Sequence, residues 1–332
     1  MTEPIIKYPM RPMRVQVMPG SAADRYYSAL RGATAKKRKS AASSDLIFRG
    51  GKTVAQMQYK NFYLGGAASW GETDVQLIEK AILTAMTHKP LNNVMAQYFP
   101  GRKMSCDMLA AQILETRKPR VVSEGDIVPF IKSLLKRGTI PRADLDSTIF
   151  NFLLPSGSVL SDSSESTGSL GDVVGVMPAL PRSGSSLQGL GGFHGSVHVN
   201  SKTTIYYSLD VYSEVLPSGR RNGLAVLAEP WKNVVATLYH ELNEFRTDPD
   251  VDDVIRTGNS KLAGWSSDEG EEVGDAPLRL AEPLTQVIHE VKVVPSRRAT
   301  VPVQLQYSNA VHRAEGPIDR PHPAPKPEGT SK

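Results

Sequence analysis

A chain of 332 residues is long enough for about two domains or one large one with extensions, and its 40% hydrophobic content reaches the globular range once the 27 glycines are counted, which excludes wholesale disorder. No run approaches the roughly 18 consecutive apolar residues of a membrane span, the first residues lack the apolar core of a signal peptide, and the lone Cys106 has no internal disulfide partner. The net charge of +5 hides an asymmetry: from His240 to Asp275 eleven acids face only Arg246, Arg256 and Lys261, a local −8 that leaves +13 elsewhere and marks a candidate cation site.

In chain order, residues 1 to 44 read as a disordered basic arm, with Arg31 and Lys36 to Lys39 set among small residues. No nucleic-acid reading module accompanies Tyr26, Tyr27 and this cluster, so nucleic acid is not an expected partner. Two strand-like runs follow, Asp45 to Phe48 and Tyr59 to Leu64. Val75, Ile78, Ile82 and Met86 recur at helical spacing from Glu72, and a second helix over Ile127 to Leu135 stops at Gly138. Ser147 to Leu154 has the β-branched and aromatic content of a buried strand.

Residues 161 to 191 are dominated by Ser and Gly and read as a linker or surface insertion between two halves of one core, 45 to 160 and 192 to 312. Ser196 to Val199 and Thr203 to Val211 flank Asn200 to Lys202 as a hairpin would, and Val287 to Val294 and Val301 to Tyr307 are further strands. The chain then ends in a Pro-rich tail, 313 to 332. The expected class is α/β (α+β): a mixed sheet packed on one long helix, with disordered tails.

That helix begins at Pro230, a residue suited to a first helical turn. Trp231, Val234, Val235, Leu238, Leu242 and Phe245 form one apolar stripe at about 100° per residue. His240 and Glu244, four residues apart, stack one turn above each other on the opposite side, which is expected to be solvated, with Glu241 between them and the stripe. H-E-x-x-E has the spacing of the H-E-x-x-H zinc helix with Glu as the second ligand, and a carboxylate is an acceptable zinc ligand. In that motif the Glu after the first His is the base acting on the activated water.

The run HELNEFRTDPD, then Gly264-Trp265, then Gly270 to Asp275 resembles the H-E-x-x-E-x-x-T-D-P…G-W…G-x-E-I-G-D signature of bacterial proteins related to the plant EXORDIUM-like (phosphate-induced protein) family. Tyr63 to Trp70, Leu154 to Gly157, Gly192 to Gly195 and Tyr307 to Asn309 agree in order, so the resemblance spans about residues 45 to 312 and is most specific in the second half. It implies a zincin-like fold with His240 and Glu244 as metal ligands, Asp275 or Glu272 as a further oxygen ligand and Glu241 as base. Asp248 and Trp265 are further candidates to line the site, Trp265 chiefly by packing under the loop, and His194 either lines it as well or is a hydrogen-bonded structural residue at a strand start. Relatives are mostly secreted or cell-surface proteins, with cysteines where this chain has Gly191 and Pro277. The resemblance points to an extracellular setting, whereas the missing signal peptide and paired cysteines point to the cytoplasm.

Two readings are open. One is a zinc-dependent hydrolase of zincin type acting on a peptide or cell-surface polymer. The other is a non-catalytic binding, surface or assembly protein with a structural zinc or calcium site. Asp248, Asp250 and Asp252 supply the D-x-D-x-D of a calcium loop, but Asp253 and Asn259 stand where an EF-hand needs Gly and Glu, leaving only a looser all-oxygen site. The discriminating feature is Glu241: a hydrolase needs it beside an open metal position, whereas a structural site is closed by protein ligands. Neither oligomeric state nor substrate is legible.

Overall fold

The computed structural model describes residues 45–162, 170, 184–281, 283–293 and 299–325; the basic arm, most of the Ser/Gly-rich linker and the end of the tail lie outside them. The main elements in chain order are β1 (Gln56–Tyr63), α1 (Glu72–Thr87), β2 (Ser105–Met108), α2 (Glu124–Lys136), β3 (Thr148–Leu153), β4 (Gly192–Asn200), β5 (Thr203–Asp210), α3 (Pro230–Thr247), β6 (Ile288–Lys292) and β7 (Thr300–Gln304). Strands run β2-β1-β3-β5-β4 across a six-stranded sheet whose remaining member, Gln112–Ile113, lies beside β1. β1 is parallel to β2 and β3, and β3 to β5, while β4 returns antiparallel to β5 across the Asn200 to Lys202 turn. The protein is therefore a mixed α/β protein with a mixed sheet, and no helix among its described residues is long and apolar enough to cross a membrane.

Period-two alternation divides the strands between two cores. Phe62, Phe150, Phe152, Tyr207 and Leu209 face α2, whose Ile127, Phe130, Ile131 and Leu134 form the matching stripe. A capping box opens α2, in which the Ser123 N–H donates to Asp126 Oδ2 at 2.9 Å. On the other face Tyr59, Tyr63, Ile149, Leu153 and Tyr206 meet α1 and the stripe Val234, Val235, Leu238, Leu242 and Phe245 of α3.

The hairpin β6–β7 packs on the far side of α3, with Val291, Val301 and Val303 in the same core. This placement overturns one expectation. The polar side of α3 is not solvated: every residue from Asn233 to Thr247 is buried, because β7 and the segment around Glu272 to Asp275 cover the side that the apolar stripe leaves free. A second expectation also fails in part. Residues 313–325 are not a loose tail, since Arg313–Glu315 pairs with Gln306–Ser308, and the Ile318 N–H donates to the Pro90 carbonyl.

One polar residue per strand runs across the α3 face of the sheet. Asn61 is registered with Asn151, Asn151 with Ser208, and Ser208 with His194. Asn151 Nδ2 donates to Asn61 Oδ1 at 2.7 Å, and the Ser208 hydroxyl donates to Asn151 Oδ1 at 2.9 Å. Such a row is tolerated in a core only because its members satisfy one another, and it ends at the site described next.

Phe152 stacks on Phe62 with ring centroids 5.3 Å apart and meets Phe130 edge-on at 6.0 Å, on the face away from α3. Phe152→Ala is expected to cost about 3 to 5 kcal/mol in denaturant unfolding through the cavity it leaves. Because the change is on the opposite face, it should leave the packing around α3 at its wild-type arrangement, checked by hydrogen exchange of the α3 amides.

Candidate metal centre

The helical spacing of α3 brings His240 and Glu244 together, with His240 Nε2 2.9 Å from Glu244 Oε1. Asp275, at the start of the short helix Asp275–Leu280, brings Oδ1 to 4.0 Å from the same nitrogen. These three residues form one group whose donor atoms all lie within 4.8 Å of one another. A second such group consists of His194, Glu241 and Glu244, in which His194 Nδ1 lies 3.3 Å from Glu241 Oε2 and 3.6 Å from Glu244 Oε2. Glu272 Oε1 lies on the other side of the His194 ring, 3.6 Å from Nε2. All six of these side chains are at most 1% exposed.

The outer nitrogen of each imidazole is committed. Gln304 directs its amide nitrogen at the Gly274 carbonyl (2.7 Å), so its Oε1 faces His240 Nδ1 at 2.9 Å and accepts that N–H. His194 Nε2 lies 3.2 Å from the Asp248 backbone carbonyl, which can only accept. Both rings therefore hold a proton on the outside, and the inner nitrogens, His240 Nε2 and His194 Nδ1, face carboxylate oxygens. A lone pair against a carboxylate repels it unless a proton or a metal cation lies between, and an outer hydrogen bond of this kind is how proteins fix a metal-binding histidine.

Electrostatics show how the cluster satisfies itself with protons. Burial pulls the His240 pKa down, but Glu244, Glu241 and Asp275 reverse this and lift it from 6.5 to about 9. Burial opposes the charge on His194 as well, and Glu272, Glu241 and Glu244 raise its pKa well above the ordinary value. Glu244 gains most: burial would raise it, but the two imidazoles lower it to about 2. Glu272 and Asp275 are driven well upward, by burial and then by Glu244. Both oxygens of Glu272, Oε1 of Glu241 and Oδ1 of Asp275 have no hydrogen-bond partner among the described residues. Buried carboxylate oxygens left this way cost several kcal/mol unless a cation takes them up. These His, Glu and Asp groups can therefore hold a metal ion.

Two glycines in the sequence pattern have a steric reason. A Cβ on Gly274 would fall 2.3 Å from His240 Nδ1, and its N–H donates to Glu244 Oε1 at 3.2 Å. A Cβ on Gly264 would fall 1.9 Å from the Thr247 carbonyl oxygen, while the Gly264 N–H donates to Asp248 Oδ1 at 2.9 Å. Asp248 thus positions, tying the loop to the end of α3 with its side chain and orienting His194 with its carbonyl. Burial lifts its carboxyl to about 7 against the Gly264 hydrogen bond. Trp265 packs between Tyr98 and Phe48, with centroids 5.2 and 5.4 Å away, and its Nε1–H donates to the Tyr98 carbonyl.

The D-x-D-x-D run does not converge. Asp250 accepts from the Tyr206 hydroxyl, Asp252 from the Ser196 N–H, and Asp253 pairs with His198 and Arg256. None of them joins a potential metal group among the described residues. Asp210 was not a candidate in the sequence. It is fully buried at the end of β5, its Oδ2 lies 2.6 Å from the Ser208 hydroxyl oxygen, and its carboxyl is pushed well upward by burial and by Glu241. Its only sequence signal was an acid ending an otherwise buried strand.

Compared with protein-family models, curated proteins and solved structures, the chain matches none. Fold and site together define a class: a mixed α/β protein with a buried histidine–carboxylate centre able to hold a metal ion.

The pKa shifts give the centre a pH signature. Without metal, His240 (about 9 against 6.5) and Asp248 (about 7 against 3.8) bind protons more tightly when folded. Their contribution is complete below the unfolded values and is lost as pH rises through about 7 and then about 9. Glu244 acts in the opposite sense, but only as pH falls from 4.5 toward about 2. The chelated protein should therefore lose stability between about pH 5.5 and about pH 9.5, whereas the metal-loaded protein should lose it on acidification, as protons compete for the ligands. Denaturation midpoints across this range, with and without chelator, check the crossing, and parallel profiles would dissociate the cluster from metal binding.

Proposed function

We propose that this is a zinc protein whose metal, held by His240, Glu244 and Asp275 on a zincin-type helix, is structural and fastens α3 to the 264–275 segment and to β7. The observation that carries this reading is closure: His240, Glu241, Glu244, Glu272 and Asp275 are each at most 1% exposed. Glu241 does not stand free either, since its Oε2 lies 3.3 Å from His194. A catalytic site keeps one position open to water and substrate, and no exposed side chain of this cluster lines such an opening. The two imidazoles suit zinc, while the hard, oxygen-only shell that calcium prefers would leave them unused. The protein's role is then binding, at a surface or in an assembly, on a scaffold that the metal keeps rigid.

A metal bound to the folded chain alone stabilises it by about 4 kcal/mol at a thousandfold excess over its dissociation constant. Mass spectrometry of the purified protein is expected to find zinc, which His240→Ala removes. Chelation should lower the midpoint of thermal unfolding by roughly 10 °C, at the roughly 2 to 4 °C per kcal/mol of a domain this size. Wild-type protein that stays metal-free after zinc dialysis would refute the reading.

One observation favours the second reading, a zincin-type hydrolase acting on a peptide or cell-surface polymer: the buried Glu241 Oε1 has no hydrogen-bond partner among the described residues. Bound zinc would supply a Lewis acid that polarises the substrate and makes water acidic. Glu241 Oε1 would take the proton from that water and return it to the leaving group, after a movement that admits substrate. In this case Glu241→Gln keeps the metal and lowers turnover by at least about a hundredfold. Cleavage from a mixed peptide library by zinc-loaded wild type and not by Glu241→Gln would establish the hydrolase; no cleavage by either leaves the structural role.

A further inference from the structure

Glu244 belongs to both potential metal groups, and it divides its oxygens between them. Oε1 faces His240 Nε2 and Oε2 faces His194 Nδ1. We infer that the centre binds two divalent cations bridged by the Glu244 carboxylate, the second held by His194 Nδ1 and Glu241, with Glu272 on the far side of the imidazole. This rests on the reading of the first group as a metal site and adds an ion that the helix motif alone does not call for.

Three observations carry it. The first is spacing. Ligand atoms about 2.0 to 2.1 Å from a tetrahedral metal lie roughly 3.3 Å from one another. The separations of 3.3 Å from His194 Nδ1 to Glu241 Oε2 and 3.6 Å to Glu244 Oε2 match such edges, and they are longer than the best hydrogen bonds of an imidazolium to a carboxylate. The second is ring orientation. The Asp248 carbonyl accepts the Nε2–H of His194 and turns the Nδ1 lone pair toward Glu241 and Glu244, as Gln304 does for His240.

The third observation is charge. Glu241, Glu244, Glu272 and Asp275 are buried, and three of them have oxygens without a hydrogen-bond partner among the described residues. Ionised, the four carry four negative charges. One divalent cation leaves half of that to be met by protons on the remaining carboxylates, whereas two neutralise it with both imidazoles in their neutral, ligating form. Carboxylate-bridged pairs of metals are a recurrent arrangement in proteins, with ions about 3.5 to 4 Å apart.

The test is stoichiometry on the full chain, stripped with chelator, reloaded with zinc or Mn²⁺, freed of excess metal and measured by mass spectrometry against protein concentration. Two equivalents are expected in the wild type, and the Mn²⁺ form should give the electron paramagnetic resonance signal of an exchange-coupled pair. One equivalent and an isolated Mn²⁺ signal would overturn the second site while leaving the first; no bound metal would overturn both. His194→Gln should halve the stoichiometry while the ion on His240 remains, and a variant that still binds two equivalents would also overturn the assignment. The wild-type measurements decide the matter even if that variant fails to fold.

Discussion

Placing Asp210, Glu241, Glu244, Asp248, Glu272 and Asp275 out of water around only two imidazoles is the constraint on which the rest of this structure depends. No hydrophobic arrangement compensates for such a cluster; each carboxylate must be protonated, hydrogen-bonded or bound to a cation. The protein uses the first two and offers groups that could serve the third. Asp210 and Asp248 are raised toward their neutral forms and hold hydrogen bonds to Ser208 and Gly264. Glu244 stays ionised against two imidazoles. Glu272, Asp275 and Glu241 retain oxygens with no hydrogen-bond partner among the described residues, in a centre whose groups could hold a metal ion.

The surrounding architecture reads as the means of holding these groups. α3 lies between the sheet and the β6–β7 hairpin, so its apolar stripe meets one and its histidine meets the other. The polar row Asn61, Asn151, Ser208, His194 crosses the sheet at one level and delivers His194 opposite Glu241. Gly274 and Gly264 let backbone come closer to α3 than any side chain would allow, which places the Glu272 to Asp275 segment over the helix.

Much of this was legible in the sequence because it is local. The 3.6-residue period fixed the stripe of α3 and the His240/Glu244 pair, and alternation with turn residues marked the β4–β5 hairpin. What failed was non-local. Periodicity shows which side of a helix is apolar but not whether a later segment will cover the other side, so the face carrying His240 read as solvated until Gln304, 64 residues further on, was found against it. His194 read as a lining residue at a strand start, because nothing near it in sequence announces that β4 will set it against Glu241 and Glu244. The Asp248, Asp250 and Asp252 run is a further case: closely spaced acids suggest a loose cation site, but they accept from separate partners, Asp248 from the Gly264 N–H, Asp250 from the Tyr206 hydroxyl and Asp252 from the Ser196 N–H.

The Glu at position 244, where a zinc helix of the H-E-x-x-H type has histidine, looked like a weakened ligand on the sequence alone. Its surroundings give it a different meaning. A histidine at that position offers one inward nitrogen and can serve one partner, whereas a carboxylate offers two oxygens in a plane. Here those oxygens are divided, one toward His240 and one toward His194, with the Gly274 N–H fixing the first. A ring at 244 could not face both imidazoles at once, and His194 would then lie beside Glu241 and Glu272 without the residue that links the two halves of the cluster. The departure from the two-histidine pattern and the arrival of a histidine from β4 are thus one structural fact: Glu244 is the side chain that links groups from an α-helix and a β-strand.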